Sequence, residues 1–149
     1  MIRVLIVDDS ATARQALKMI FQTEPSIQVV GEATDGAMAV EMVPLLKPDV
    51  ITMDINMPRM DGYDATCAIM AQYPTPIIVV SSVTQKELVH QGLDVLLAGA
   101  LEIVQKPSTL NDKGFESVRE QLIAKVLAMA QIKFQPSNST PVDGEGVAQ

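Results

Sequence analysis

Residues 48–62, PDVITMDINMPRMDG, decide how the chain is read. Val50, Ile51, Thr52 and Met53 form a run too apolar to present a wet face, which is the pattern of a central parallel strand. Pro48 and Asp49 precede the run, and Asn56, Pro58, Asp61 and Gly62 stop it. Asp54 closes it, so a carboxylate is expected at the C-terminal end of the strand. In open α/β sheets chemistry collects there, because loops and helix N-termini line the crevice outside the strand ends.

Upstream, residues 2–7 are apolar except for Arg3 and end in the pair Asp8 and Asp9, a first buried strand. Ser10 or Thr12 caps a helix in which Ala13, Ala16, Leu17, Ile20 and Phe21 recur at helical spacing, with Arg14, Gln15 and Lys18 on the other side. Residues 27–33 alternate as a strand that Gly31 weakens at its far end. Asp35 caps a helix carrying Ala37, Ala39, Val40, Val43 and Leu46, which Pro44 is expected to bend or shorten.

Downstream of Gly62 a helix is expected over residues 63–72, closed by Pro74. Ile77, Ile78, Val79 and Val80 are all β-branched and make a fourth strand that ends in Ser81 and Ser82. Residues 83–97 have helical composition interrupted by Gly92, and residues 101–104 read as a fifth strand followed by Gln105, Lys106 and Pro107. A loop containing Asn111, Asp112 and Gly114 leads to a last helix with the apolar stripe Phe115, Val118, Leu122, Ile123, Val126, Leu127 and Ala130. From Phe134 onward the chain is low in large hydrophobes and rich in Pro, Ser and Gly. One domain over residues 1–130 is expected, with residues 131–149 a flexible tail or the start of an interdomain linker.

Five strands alternating with helical segments predict an α/β fold with a parallel sheet covered on both faces. Periodicity leaves the strand order open. Right-handed crossovers with helices on both faces nevertheless require the winding to reverse somewhere, and a reversal is where a site lies.

Composition narrows the function classes. The 149 residues are 48% hydrophobic with nine Met, so the core is filled by aliphatic and thioether side chains. Eighteen acidic against 11 basic residues give a net charge of −7, which disfavours nucleic-acid binding and suits carboxylates gathered around a cation. A single cysteine, Cys67, excludes an internal disulfide or a thiolate metal cluster, and its neighbours Ala65, Ala68 and Ile69 suggest a packing role. The chain has no run long enough to span a bilayer and starts without a signal-like segment, so a cytoplasmic location is expected.

All strands of a parallel sheet end on one side, so Asp8, Asp9, Asp54, Ser81 and, just past the fifth strand, Lys106 should converge. Three carboxylates in one place repel one another, and a hard divalent cation relieves that repulsion. Mg²⁺ takes oxygen ligands from one or two carboxylates, a carbonyl and water, and the backbone two residues past Asp54 offers such a carbonyl. An oxyanion formed on Asp54 would meet the metal, the Lys106 ammonium and the Ser81 hydroxyl, the set that phosphoryl transfer needs.

The combined motifs resemble the receiver domain of two-component response regulators. They are IRVLIVDDS at residues 2–10, VVGEATDG at 29–36, PDVITMDINMPRMDG at 48–62, TPIIVVSSVT at 75–84, and Lys106 with Pro107. Within that family the chain is most similar to the N-terminal regulatory domains of chemotaxis protein-glutamate methylesterases. The resemblance implies a doubly wound, flavodoxin-like sheet of order 2-1-3-4-5. It implies Asp54 as phosphoacceptor, supplied by a sensor histidine kinase, and Mg²⁺ held by Asp9, Asp54 and the Asn56 carbonyl, with Asp8 acting through water. Ser81 would hydrogen-bond the phosphoryl group, Lys106 would pair with it, and Pro107 would follow a cis peptide. The output would be a shifted protein-interaction surface on the fourth helix, fifth strand and fifth helix, read by an effector domain or a downstream protein.

Two features depart from the pattern. Members usually carry an aromatic residue three positions before the lysine, where this chain has Ile103, expected to pack beneath the last helices. No G-x-S-x-G elbow or Ser/His/Asp set is present, and the only histidine, His90, is expected on the surface. Mg²⁺-dependent self-phosphorylation and self-dephosphorylation are therefore the only chemistry expected of this chain, with the methylesterase catalytic domain outside it. The alternative is a pseudo-receiver that binds partners without phosphorylation.

Overall fold

The computed structural model describes residues 1–55, 57, 59–81, 102–105 and 113–132. Asn56, Pro58, the helical expectation over 83–97 with Gly92 and His90, the loop residues Asn111 and Asp112, Lys106, Pro107 and the tail from Phe134 lie outside these residues.

Nine elements are described: β1 (Ile2–Val7), α1 (Ala11–Gln22), β2 (Ile27–Ala33), α2 (Gly36–Leu46), β3 (Val50–Met53), α3 (Gly62–Gln72), β4 (Ile77–Ser81), β5 (Glu102–Gln105) and a helix labelled α4 (Lys113–Met129). The strands form one sheet in the order β2-β1-β3-β4-β5, and every pairing is parallel. The chain winds outward from β1 to β2, then returns past β1 to β3 and continues the other way. The ends of β1 and β3 therefore flank the reversal.

Strand pleating divides the apolar side chains into two cores. Leu5, Val7, Ile51, Met53, Ile77 and Val79 pack with Ala39 and Val43 of α2 and Ala65 and Ile69 of α3. Val4, Ile6, Val50, Ile78, Val80 and Val104 pack on the opposite face with Leu17, Ile20 and Phe21 of α1 and Val118, Leu122 and Val126 of α4. Burying each of the larger aliphatic or aromatic side chains among them contributes about 1.5–3 kcal/mol, so the two cores rather than any surface pair hold the sheet.

Several boundaries differ from the sequence reading. The limits of β2 are as expected, but its irregularity lies one residue before Gly31, because Val4 pairs with Val29 and Leu5 with Gly31, leaving Val30 as an extra residue. Pro44 does not stop α2 before Leu46, although without an N–H it forfeits the helical bond to the Val40 carbonyl; Arg3 of β1 donates to the Leu46 carbonyl at 2.5 Å. β5 is described over Glu102–Gln105, ending one residue later than the sequence reading, and pairs with Ile78–Ser81. Gly114 lies inside the first turn of α4 rather than in a preceding loop. Of the last helices only α4 is described, and the pleat puts Val104 beneath it while Ile103 packs on the opposite face, with the core of α2 and α3. Cys67 is exposed, because Ala65, Thr66 and Ile69 take the buried face of α3.

Thr52 is buried among apolar groups of β3, and its Oγ1 makes no hydrogen bond within the described residues. Thr52→Val keeps the shape and removes the desolvated hydroxyl, so stability is expected to rise by about 1 kcal/mol. An increased urea midpoint at unchanged slope is the result to look for.

Candidate functional site

The backbone pairing continues one residue beyond the strands at the reversal. Asp8 N–H donates to the Ala33 carbonyl at 3.0 Å, and Asp54 N–H donates to the Val7 carbonyl at 2.9 Å. Asp8 Oδ1 accepts the Ser10 N–H at 2.9 Å, and Ser10 in turn caps α1, its Oγ accepting the Ala13 N–H at 3.2 Å. Ser10, not Thr12, is thus the cap. Arg14 on the first turns of α1 donates Nη1 to the Asp8 carbonyl at 2.8 Å and Nε to Glu32 of β2 at 3.1 Å, while Lys18 pairs with the other Glu32 oxygen at 3.0 Å.

Asp54 Oδ1 accepts the N–H of Ile55 at 2.9 Å, which fixes the plane of its carboxylate. Asp8 and Asp54 are 1% and 6% exposed, whereas Asp9 is exposed. Carboxylate oxygens of the three residues lie within 4.8 Å of one another. An all-oxygen donor set, with two members desolvated, fits a hard divalent cation such as Mg²⁺ and no soft metal. Ser81 closes β4 by its backbone, two strands from β1 and next to β3. Lys106 directly follows the last residue of β5 in sequence, and both it and Asn56 lie outside the described residues.

The loop leaving Asp54 folds back on its own start. Gly62 N–H donates to the Ile55 carbonyl at 2.8 Å, and a Cβ on Gly62 would collide with the Asp54 carbonyl oxygen. Asp61 caps α3, accepting the Asp64 N–H at 2.9 Å. The far side of this loop is tied to α2: Arg59 Nε donates to Asp35 Oδ2 at 3.0 Å, Arg59 Nη2 pairs with the same oxygen, and Gly36 N–H donates to the Met60 carbonyl at 2.9 Å. Asp35 also caps α2, as its place before the helix predicts, through the Met38 N–H at 2.8 Å. Sequence reading missed Arg59, which is separated from Asp35 by 24 residues and carries no motif of its own.

The Arg59 guanidinium, with the Met38 N–H, holds Asp35 below its ordinary value of 3.8, and Lys18 with Arg14 holds Glu32 below its ordinary 4.5. Both shifts favour the ionised form in the folded state. Their contribution is therefore complete above about pH 5 and is lost as pH falls through the depressed folded values. Urea midpoints measured across pH 3–6 should drop on the acid side, and Asp35→Asn should flatten part of that drop.

Fold and site together define the class: a doubly wound, flavodoxin-like domain with an acidic cluster at its winding reversal. More narrowly, the chain belongs to the response regulator receiver domain family, whose model matches residues 4–113. It is 43% identical over 131 residues to a protein-glutamate methylesterase/protein-glutamine glutaminase of Pyrococcus abyssi, covering 88% of this chain and 35% of that protein. A protein of the same name from Syntrophotalea carbinolica is 46% identical over 125 residues, 84% of this chain and 35% of its own length. The chain thus spans about a third of the curated relatives it matches. The crystal structure of the response regulator domain of Thermotoga maritima CheB superposes with a TM-score of 0.80 at 41% identity, covering 89% of this chain and 98% of that one. A CheX–CheY–BeF3–Mg complex from Borrelia burgdorferi gives 0.69 at 30% identity, over 85% of this chain and 87% of that one. No helix among the described residues is long and apolar enough to cross a membrane.

Proposed function

We propose that the chain is the phosphoacceptor switch of a two-component system, with Asp54 the residue that is phosphorylated. The observation that carries this reading is the acidic cluster of Asp8, Asp9 and Asp54 at the reversal between β1 and β3. An Asp54 carboxylate oxygen attacks the phosphorus of a kinase phosphohistidine. An O–P bond forms as the P–N bond breaks, and the departing imidazole takes its proton from solvent. The Ile55 N–H on Oδ1 orients the nucleophile, and the Val7 carbonyl holds its backbone.

Asp9 and Asp54, the backbone carbonyl of Asn56, and Asp8 through water would hold Mg²⁺. When bound, the ion supplies positive charge against the cluster and the phosphoryl oxygens. Ser81 at the end of β4 donates a hydroxyl hydrogen bond to the phosphoryl group, and Lys106 pairs with it. Their sequence positions, at and just past the ends of neighbouring strands, support these roles.

Output follows by population shift on the surface of β5 and α4, together with the helix that the sequence leads one to expect over residues 83–97. Ile103 has no hydroxyl and packs toward α2 and α3, so side-chain rotation of an aromatic reporter is not the device used. The partner on that face is an effector, and the names of the relatives make a protein-glutamate methylesterase/glutaminase region the candidate. Residues 1–130 form the receiver unit in this reading, and 131–149 lead toward that region in the cytoplasm.

Incubating the chain with acetyl phosphate and Mg²⁺ should add one phosphate, detected by intact mass, and chelation should abolish it. Beryllofluoride with Mg²⁺ should perturb the amides at Asp54 and Ser81. Partner binding that persists without any Mg²⁺ or phosphodonor response would replace this reading with the constitutive pseudo-receiver.

A further inference from the structure

Arg59 has a left-handed backbone, φ 65, which a non-glycine residue adopts when its surroundings hold it there. Packing does not do so, because its side chain is 71% exposed. Asp35, 3% exposed, does: one oxygen of the carboxylate takes the Arg59 guanidinium and the other takes the Met38 N–H. Beside this pair, Gly36 N–H reaches the Met60 carbonyl, and a Cβ on Gly36 would strike that oxygen. The loop after Asp54 is therefore strung between two anchors. Its base returns to Asp54 through Gly62, and its tip is gripped by the N-terminus of α2.

We propose that Asp35 is a positioning residue for the cation and phosphoryl site, acting through Arg59 and the neighbouring Met60 on the return of the chain to Gly62, whose N–H holds the Ile55 carbonyl beside Asp54. This rests on the phosphoacceptor reading above. Neither side chain belongs to the acidic cluster, and neither touches the reacting atoms. Their effect is on how often the loop that begins at the nucleophile is competent: an apparent dissociation constant rises in inverse proportion to the competent fraction. If release of the tip lowers that fraction to between a third and a tenth, Mg²⁺ binding weakens about three- to tenfold.

The test uses the 149-residue chain, with Mg²⁺ affinity from amide shifts, the initial rate of phosphate uptake from acetyl phosphate, and thermal midpoints. Arg59→Ala removes the grip at an exposed side chain and leaves the α2 cap intact. Asp35→Asn keeps an acceptor for the Met38 N–H and removes the charge. Each should weaken Mg²⁺ binding about three- to tenfold, and the double variant should be no worse than either. Arg59→Lys, which keeps the charge without the planar fork, should recover part of the loss. A merely structural pair would lower the thermal midpoint and leave affinity and rate unchanged; that result for Arg59→Ala overturns the proposal, as does additive loss in the double variant. An unmutated chain that neither binds Mg²⁺ nor takes phosphate overturns the phosphoacceptor reading and this proposal with it, and shows as a failure of the parent rather than of the variants.

Discussion

Asp54→Ala is expected to take up no phosphate from acetyl phosphate or from a phosphorylated kinase, while folding as well as the parent. Asp54 is 6% exposed and shares a 4.8 Å space with oxygens of Asp8 and Asp9, so its removal deletes one of three mutually repelling charges. The loss of the Ile55 N–H bond opposes that relief. The larger change is in linkage to the cation. A ligand at about a hundred times its dissociation constant adds about 2.7 kcal/mol to a fold it binds. Unfolding free energy of the parent should therefore climb with the logarithm of Mg²⁺ concentration, and that climb should shrink or vanish in Asp54→Ala. Phosphate found on the variant would remove Asp54 from its assigned role, and an undiminished Mg²⁺ response would remove it from the metal set.

How much of this is legible in the chain depends on whether the signal is local. Val50–Met53 and Ile27–Ala33 are read with their observed limits, because an apolar run bounded by Pro, Asp or Gly carries its own boundaries. β5 ends one residue later than read, at Gln105, because that end is set by pairing with β4, which its own sequence does not contain. The strand order is likewise non-local, and it was the resemblance rather than periodicity that supplied it. The acidic cluster is legible for a different reason: parallel strands all end on one side, so carboxylates at their ends must meet. Arg59 with Asp35, and Glu32 with Arg14 and Lys18, have no such rule behind them. Each is a charged residue of ordinary appearance whose partner is fixed only once the loops are folded. Cys67 shows the same limit at short range, since small neighbours suggest burial while the helical phase turns it outward.

Gly62→Ala separates local propensity from tertiary constraint most sharply. Gly62 is the first residue of α3, where alanine is the better helix former by about 1 kcal/mol. Propensity alone therefore predicts a more stable protein. The opposite is expected, because the new Cβ would run into the Asp54 carbonyl oxygen and lie 2.9 Å from the Ile55 Cα. Both are backbone atoms with little freedom to yield: Asp54 N–H is bonded to Val7 of β1 at 2.9 Å, and Gly62 N–H to the Ile55 carbonyl at 2.8 Å. Relief requires the start of α3 or the end of β3 to move, at a net cost of about 1–3 kcal/mol. The atoms displaced belong to the nucleophile's own residue, so phosphate uptake should slow in the same variant, and urea unfolding with initial uptake rates measures both effects. The link between the two is what distinguishes this substitution from the release of Arg59, which loosens the far tip of the loop and leaves its base on Asp54 in place. A Gly62→Ala chain that is more stable than the parent and equally fast would mean that α3 can slide away from β3, and the loop would then not be the closed unit its hydrogen bonds describe.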